Sequence, residues 1–148
     1  MPTYTVLAPA GQLSGQQKRT IAENLTRTHN QITGAPLFFA QVVFVDIADG
    51  NWFMGGTPLE SDQIYIHGHI RGGRSAEMKR KLVLGLRDAL AKGAALPTSR
   101  VWTYIVELPP AHMVEFGHVL PEPGEEATWL AGLPPEDRAL IESFGPPR

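Results

Sequence analysis

The chain opens on an alternating pattern. Across residues 3–8, Tyr4, Val6 and Ala8 share one side of an extended segment, which predicts a strand starting directly after Pro2. Ser14, followed three residues later by Gln17, is an N-cap with its capping-box partner and predicts a helix to about residue 32. The apolar stripe of that helix runs Ile21, Ala22, Leu25, position 29 and Ile32, and Gly34 with Pro36 ends it. Position 29 is a histidine on a packed stripe. Residues 38–47 follow with almost no polar interruption, which predicts a strand buried on both faces.

The same order then recurs. Asp49-Gly50 and Gly55-Gly56 punctuate a short hairpin carrying Trp52 and Phe53. Residues 64–70 predict a third main strand, with Ile64, Ile66, Gly68 and Ile70 on one side and Tyr65, His67 and His69 on the other. Beyond the glycine-containing turn 71–74, Ser75 caps a second helix to about residue 92, and Gly93 is expected to stop it. Residues 101–108 form a fourth strand, apolar on both faces, closed by Pro109-Pro110. The tail predicts a short helical turn over 112–117 and a helix over 134–144.

Sliding the chain by 61 residues puts Ser14 on Ser75, Lys18 on Lys79, Arg19 on Arg80 and Leu25 on Leu86, with helices and following strands in step. The expectation is an α+β fold of two tandem β-α-β repeats, about 2–47 and 63–108, with an extension over 109–148, all in one domain spanning 1–148. Parallel strands within each unit give a four-stranded sheet with both helices on one face. The other face is then bare although its residues are apolar, which implies a homo-oligomer that covers it. Two positions break the repeat: His29 falls on Leu90, and Pro2 falls on Gln63.

Composition narrows the chemistry. A hydrophobic fraction of 43% suits an ordinary core, and a formal charge of -2 supplies no basic field for nucleic acid. Cysteine is absent, which excludes disulfides, thiol nucleophiles and thiolate metal sites. No signal peptide or membrane-spanning run is read, so a soluble cytoplasmic protein without membrane association is expected.

A proline after the initiator methionine is usually uncovered during maturation, leaving Pro2 with a secondary amine that no internal residue can imitate. Arg71 and Arg74 flank the turn that enters the second helix, where free N–H groups, the helix dipole and two guanidiniums suit a carboxylate or phosphate. Without a Walker-type Lys-Ser/Thr signal, a small carboxylate is favoured over a nucleotide. Two surface arginines on a solvated turn give the same residues. His29 fits a core histidine as well as a ligand-facing one, and Tyr104 fits an ordinary strand aromatic. Glu115, among Met113, Val114 and Phe116, fits either a proton-transfer group with a raised pKa or an exposed carboxylate. His67 and His69 share a strand face, but no third metal ligand accompanies them, so no metal is expected.

Several motifs together carry a resemblance over nearly the whole chain. They are the Pro-Thr-Tyr start, Ala-Gln-Val-Val-Phe at 40–44, Gly-Arg-Ser at 73–75, Val-Trp-Thr-Tyr at 101–104, Met-Val-Glu-Phe-Gly at 113–117 and Pro-Gly-Glu-Glu at 123–126. The chain resembles the tautomerase superfamily, and within it the cis-3-chloroacrylic acid dehalogenase family. The resemblance implies a homotrimer without cofactor, in which Pro2, Tyr104 and Glu115 are catalytic and His29, Arg71 and Arg74 bind the substrate carboxylate. It further implies that Tyr104 and Glu115 activate a water while Pro2 moves the proton. Nearby arginines lower the pKa of such an amine and a nearby carboxylate raises it, which decides whether it acts as base or acid. Ala35 and Pro36 replace more polar residues in the loop over 31–37. The expected activity is therefore tautomerase and hydratase, on small unsaturated or enolic carboxylates, with weak cis-3-haloacrylate dehalogenation giving malonate semialdehyde. The alternatives are a malonate semialdehyde decarboxylase-like enzyme and a catalytically inactive trimeric carboxylate-binding protein.

Overall fold

A computed structural model describes residues 2–144. Its elements run β1 (Thr3–Pro9), α1 (Gly15–Thr33), β2 (Gln41–Ile47), β3 (Phe53–Met54), β4 (Thr57–Pro58), β5 (Ile64–Arg71), α2 (Ala76–Ala94), β6 (Val101–Leu108), β7 (Val114–Glu115), β8 (His118–Val119), α3 (Glu126–Ala131) and α4 (Pro135–Ser143). The main sheet has the order β2-β1-β5-β6. β1 and β2 run parallel, β5 and β6 run parallel, and the two units meet antiparallel through β1 and β5. The fold is α+β, built from two strand-helix-strand units. Tyr4, Val6, Ala8, Ile64, Ile66 and Ile70 pack into one core with Ile21 and Leu25 of α1 and Leu82, Leu86 and Leu90 of α2, so both helices cover the same face.

The caps form as the sequence predicts. Ser14 Oγ accepts from the Gln17 N–H and Gln17 Oε1 accepts from the Ser14 N–H, at 3.2 and 3.0 Å. Ser75 Oγ accepts from the Met78 N–H at 3.1 Å. Such caps stabilise a helix by about 1 kcal/mol each. Gly93 does not end α2. It lies inside the helix, where an added Cβ would come 2.5 Å from Ile21 Cγ1, so it is a point of close approach between the two helices, and Ala95 takes the left-handed cap.

The repeat is more faithful than four identities suggest, with one slip. The helices and the following strands keep the 61-residue offset, including the helix-to-strand ion pairs Lys18–Asp46 and Lys79–Glu107. In the leading strands the register shifts. Tyr4 sits beside Val42 as Ile66 sits beside Thr103, so Tyr4 corresponds to Ile66 and Pro2 to Ile64, not to Gln63. The connection into α1 is one residue longer than that into α2.

Two further expectations change. Residues 37–39 form a single 3-10 turn, and β2 begins only at Gln41, because Phe39 turns into a second small core with Met113 and Leu120. Residues 112–117 do not form a helical turn. Phe116 and Gly117, at φ 53° and 83°, make the tight turn of the β7–β8 hairpin, a conformation that favours glycine at its second position. The outer face of the sheet is bare, with Val43, Val45, Trp102, Tyr104 and Val106 all exposed and Tyr104 at 52%. Among the described residues no helix is long and apolar enough to cross a membrane.

Candidate active site

The topology gathers distant residues at one end of the sheet. Antiparallel pairing sets Thr3 against His69, which brings Pro2 alongside the end of β5, where Arg71 is the last residue. Pro2 is buried, and its carbonyl accepts from the Gln41 N–H at 2.9 Å. The helix returns along β1, so its last turns overlie the strand's beginning: Tyr4 Oη lies 2.6 Å from Nδ1 of His29. The Gly72 N–H donates to Leu108 O at 2.8 Å, holding the 71–74 turn against the end of β6. From there the chain passes into the β7–β8 hairpin, which carries Glu115 to the same end.

His29 is 2% exposed, and its Nε2 is buried without a hydrogen-bond partner among the described residues. Burial, followed by the charges of Arg74, the amino terminus and Arg71, pushes its pKa down to about 3. The ring is therefore neutral at physiological pH. Because the folded pKa lies below the unfolded value of about 6.5, this stabilisation is complete above that value and is lost as pH falls towards 3. Melting temperature should drop steeply over that window, at about 1.4 kcal/mol of stability per pH unit. His29→Leu, the residue its sister helix carries, should flatten the drop; an unchanged acid profile would contradict the buried neutral ring.

Arg71 is 5% exposed. Its Nη1 donates to Pro121 O at 2.7 Å and its Nη2 donates to Glu126, both from the tail. Glu126 stands in the Pro-Gly-Glu-Glu motif at 123–126, but no periodicity assigns it a place in the site. Burial resists its ionisation, but the hydrogen bonds from Arg71 and the Gly124 N–H outweigh that and lower its pKa. Arg74 is half-buried, and its Nη1 donates to Arg71 O. Burial and then the Arg71 charge destabilise its cation.

Glu115 is pushed up by burial, against the opposing charges of the amino terminus and Arg71. It lines a cleft of about 800 Å³ with Thr3, Phe38, Phe39, Gln41 and His69, a largely apolar setting in which a proton can be moved away from bulk water. Pro2, His29, Arg71, Arg74 and Glu115 lie at this same end of the sheet, close enough for the Arg71 charge to act on both His29 and Glu115, although the other four do not line the cleft at Glu115. Tyr104 does not join them. It stands on the outer face of β6, its ring 5.1 Å from that of Tyr65, and lines a separate recess with Trp52 and Trp102. Sheet spacing puts it roughly 12 Å from Thr3. His67 and His69 stack edge-on at 5.6 Å, and no group of three or more His, Asp or Glu able to hold a metal occurs among the described residues.

A family model described as "Putative oxalocrotonate tautomerase enzyme" matches residues 1–132. A crystal structure of a member of the cis-3-chloroacrylic acid dehalogenase (cis-CaaD) family is 34% identical, covers 96% of this chain and 99% of its own, and superposes with a TM-score of 0.91. The chain belongs to the tautomerase superfamily, on its cis-CaaD-like side. Two more distant tautomerase-fold structures share the fold. Pt0534 inactivated by 2-oxo-3-pentynoate is 23% identical, with a TM-score of 0.73 over 80% of this chain and 94% of its own. A fused 4-OT described as an asymmetric trimer is 22% identical, with a TM-score of 0.74 over 79% and 94%. No curated protein matches. Membership of the superfamily supports an enzyme of tautomerase or dehalogenase type.

Proposed function

We propose that this chain is a cofactor-free tautomerase and hydratase of small unsaturated or enolic carboxylates, acting through Pro2 as amino-terminal residue, with weak dehalogenation of cis-3-haloacrylates. The observation that carries this reading is the convergence of the buried Pro2 with two arginines, a neutral histidine and a partly buried carboxylate at one sheet end.

In this reading, removal of Met1 frees the Pro2 nitrogen. The substrate carboxylate sits on Arg74, the remaining N–H groups of Arg71 and Nε2 of His29. This arrangement draws electron density towards the carboxylate and leaves the far alkene carbon open to attack. With an enol, the neutral Pro2 amine takes the hydroxyl proton and returns it to the nucleophilic carbon, giving the ketone and restoring the free amine. With a 3-haloacrylate, Glu115 takes a proton from water as the water oxygen bonds to C3, and protonated Pro2 supplies C2. The halohydrin then expels hydrogen halide and leaves malonate semialdehyde. Burial raises the basicity of Glu115 towards the range that suits this role.

Tyr104 enters this scheme only from a neighbouring copy, because its own site is two strands away on the bare face. A homotrimer packed through that face would cover Trp102 and Val106 and deliver the tyrosine. Light scattering should give a trimer mass, and Trp102→Glu should yield monomers with most activity lost; a monomeric native protein would refute this assembly. Phenylenolpyruvate, 3-haloacrylates and propiolate, each with product identification, test the reading. Ketonised phenylpyruvate and malonate semialdehyde are expected, whereas acetaldehyde would indicate decarboxylation, and binding without turnover would indicate a carboxylate-binding protein.

A further inference from the structure

We infer that Tyr4 is a positioning residue for the reaction: its hydroxyl donates to Nδ1 of His29 and so fixes the ring as the Nε2–H tautomer, with that N–H presented to the substrate anion. The inference rests on the proposed carboxylate site and adds to it a residue that holds one of its donors.

Four observations carry it. The Tyr4 side chain is fully buried on the helix-facing side of β1, two residues from Pro2, and its hydroxyl is 2.6 Å from Nδ1. Space for its ring is made by a specific neighbour. Gly68 pairs with Tyr4 across the antiparallel junction, and a Cβ there would meet Tyr4 Cε1 at 2.5 Å. The internal repeat supplies the comparison. Tyr4 corresponds to Ile66, His29 to Leu90 and Gly68 to Val6, so the sister unit fills the same positions with aliphatic side chains, all of them fully buried. The chain can therefore build this core without polar atoms, and on one side only it does not. Finally, His29 Nε2 is buried without a partner among the described residues, an arrangement that is costly unless a ligand completes it.

The tautomer follows from the donor inventory. Burial keeps the Tyr4 phenol protonated, and for this fully buried hydroxyl donation to Nδ1 of His29, 2.6 Å away, is the direction that leaves no phenol hydrogen unpaired. A neutral imidazole that accepts at Nδ1 carries its hydrogen at Nε2. Such a ring gives a carboxylate a hydrogen bond while remaining unable to compete with Pro2 for the transferred proton.

The test is nitrogen-15 NMR of the His29 ring, in the intact protein and in Tyr4→Phe, which keeps the aromatic ring and removes only the oxygen. The intact protein should show an Nε2–H ring. Tyr4→Phe should show a mixed or reversed tautomer and a rise in KM of roughly 3–10-fold, the size of one neutral hydrogen bond, with kcat little changed. In a His29→Leu background the same substitution should leave KM unmoved. An Nδ1–H ring in the intact protein, which needs no variant to observe, overturns the inference, as does an unchanged tautomer or an unchanged KM in Tyr4→Phe. Failure of the underlying carboxylate site is separately visible, because Arg74→Ala would then leave KM unaltered whatever the tautomer.

Discussion

Pro2→Ala is expected to lower kcat/KM for phenylenolpyruvate ketonisation by about 100-fold, the lower end of what a positioned acid or base supplies. The size of the loss comes from geometry more than from basicity. An amino-terminal alanine would still offer an amine that titrates near the usual α-amino value. It would lack the ring that fixes the nitrogen's direction, in a residue that is buried and held by its own carbonyl to Gln41. Misplacement of a reacting group costs rate without costing fold, so the melting temperature should hardly change. Undiminished ketonisation by Pro2→Ala would remove the proline from the mechanism.

Arg74→Ala is expected to raise KM about 10–100-fold, the equivalent of one charge-assisted hydrogen bond of about 1.5–3 kcal/mol. Turnover should fall as well, because the guanidinium also stabilises charge that moves onto the carboxylate during the reaction. Arg74→Lys keeps the charge but not the planar fork and should recover only part of the loss. Arg71 is the poorer probe. It is buried against Glu126 and Pro121 O, so Arg71→Ala would leave the Glu126 carboxylate without its partner and confuse folding with binding. An Arg74→Ala variant that binds and turns over substrate normally would rule out this turn as the anion site.

Much of this architecture is readable from residue patterns because the patterns are local. Ser14 with Gln17, the 3.6-residue stripe through Ile21 and Leu25, and alternation in β1 and β5 each depend on near neighbours, and each element forms where expected. The departures are tertiary in origin. Gly93 reads as a stop but is a contact with Ile21, a residue more than seventy positions away. Phe39 reads as strand but leaves it to join Met113 and Leu120. The one-residue slip between β1 and β5 is invisible without the strand register, which alone aligns Tyr4 with Ile66.

The site shows the same division. Pro2, Arg71 and Arg74 announce themselves by residue type and by position against the elements, and His29 by interrupting an apolar stripe. Glu126 does not, because its role depends on the tail folding back over β5. Tyr104 carries a motif, yet its place on the outer sheet face separates it from the other five residues within one chain, and no sequence signal foretells that separation.

The most direct measurement of the central claim is intact mass taken together with specific activity on preparations that differ in amino-terminal processing. Activity should rise in proportion to the fraction of molecules that begin at Pro2, and molecules retaining Met1, whose Pro2 nitrogen is an amide, should be inactive. Equal activity in the Met1-retaining protein would contradict the amino-terminal proline mechanism.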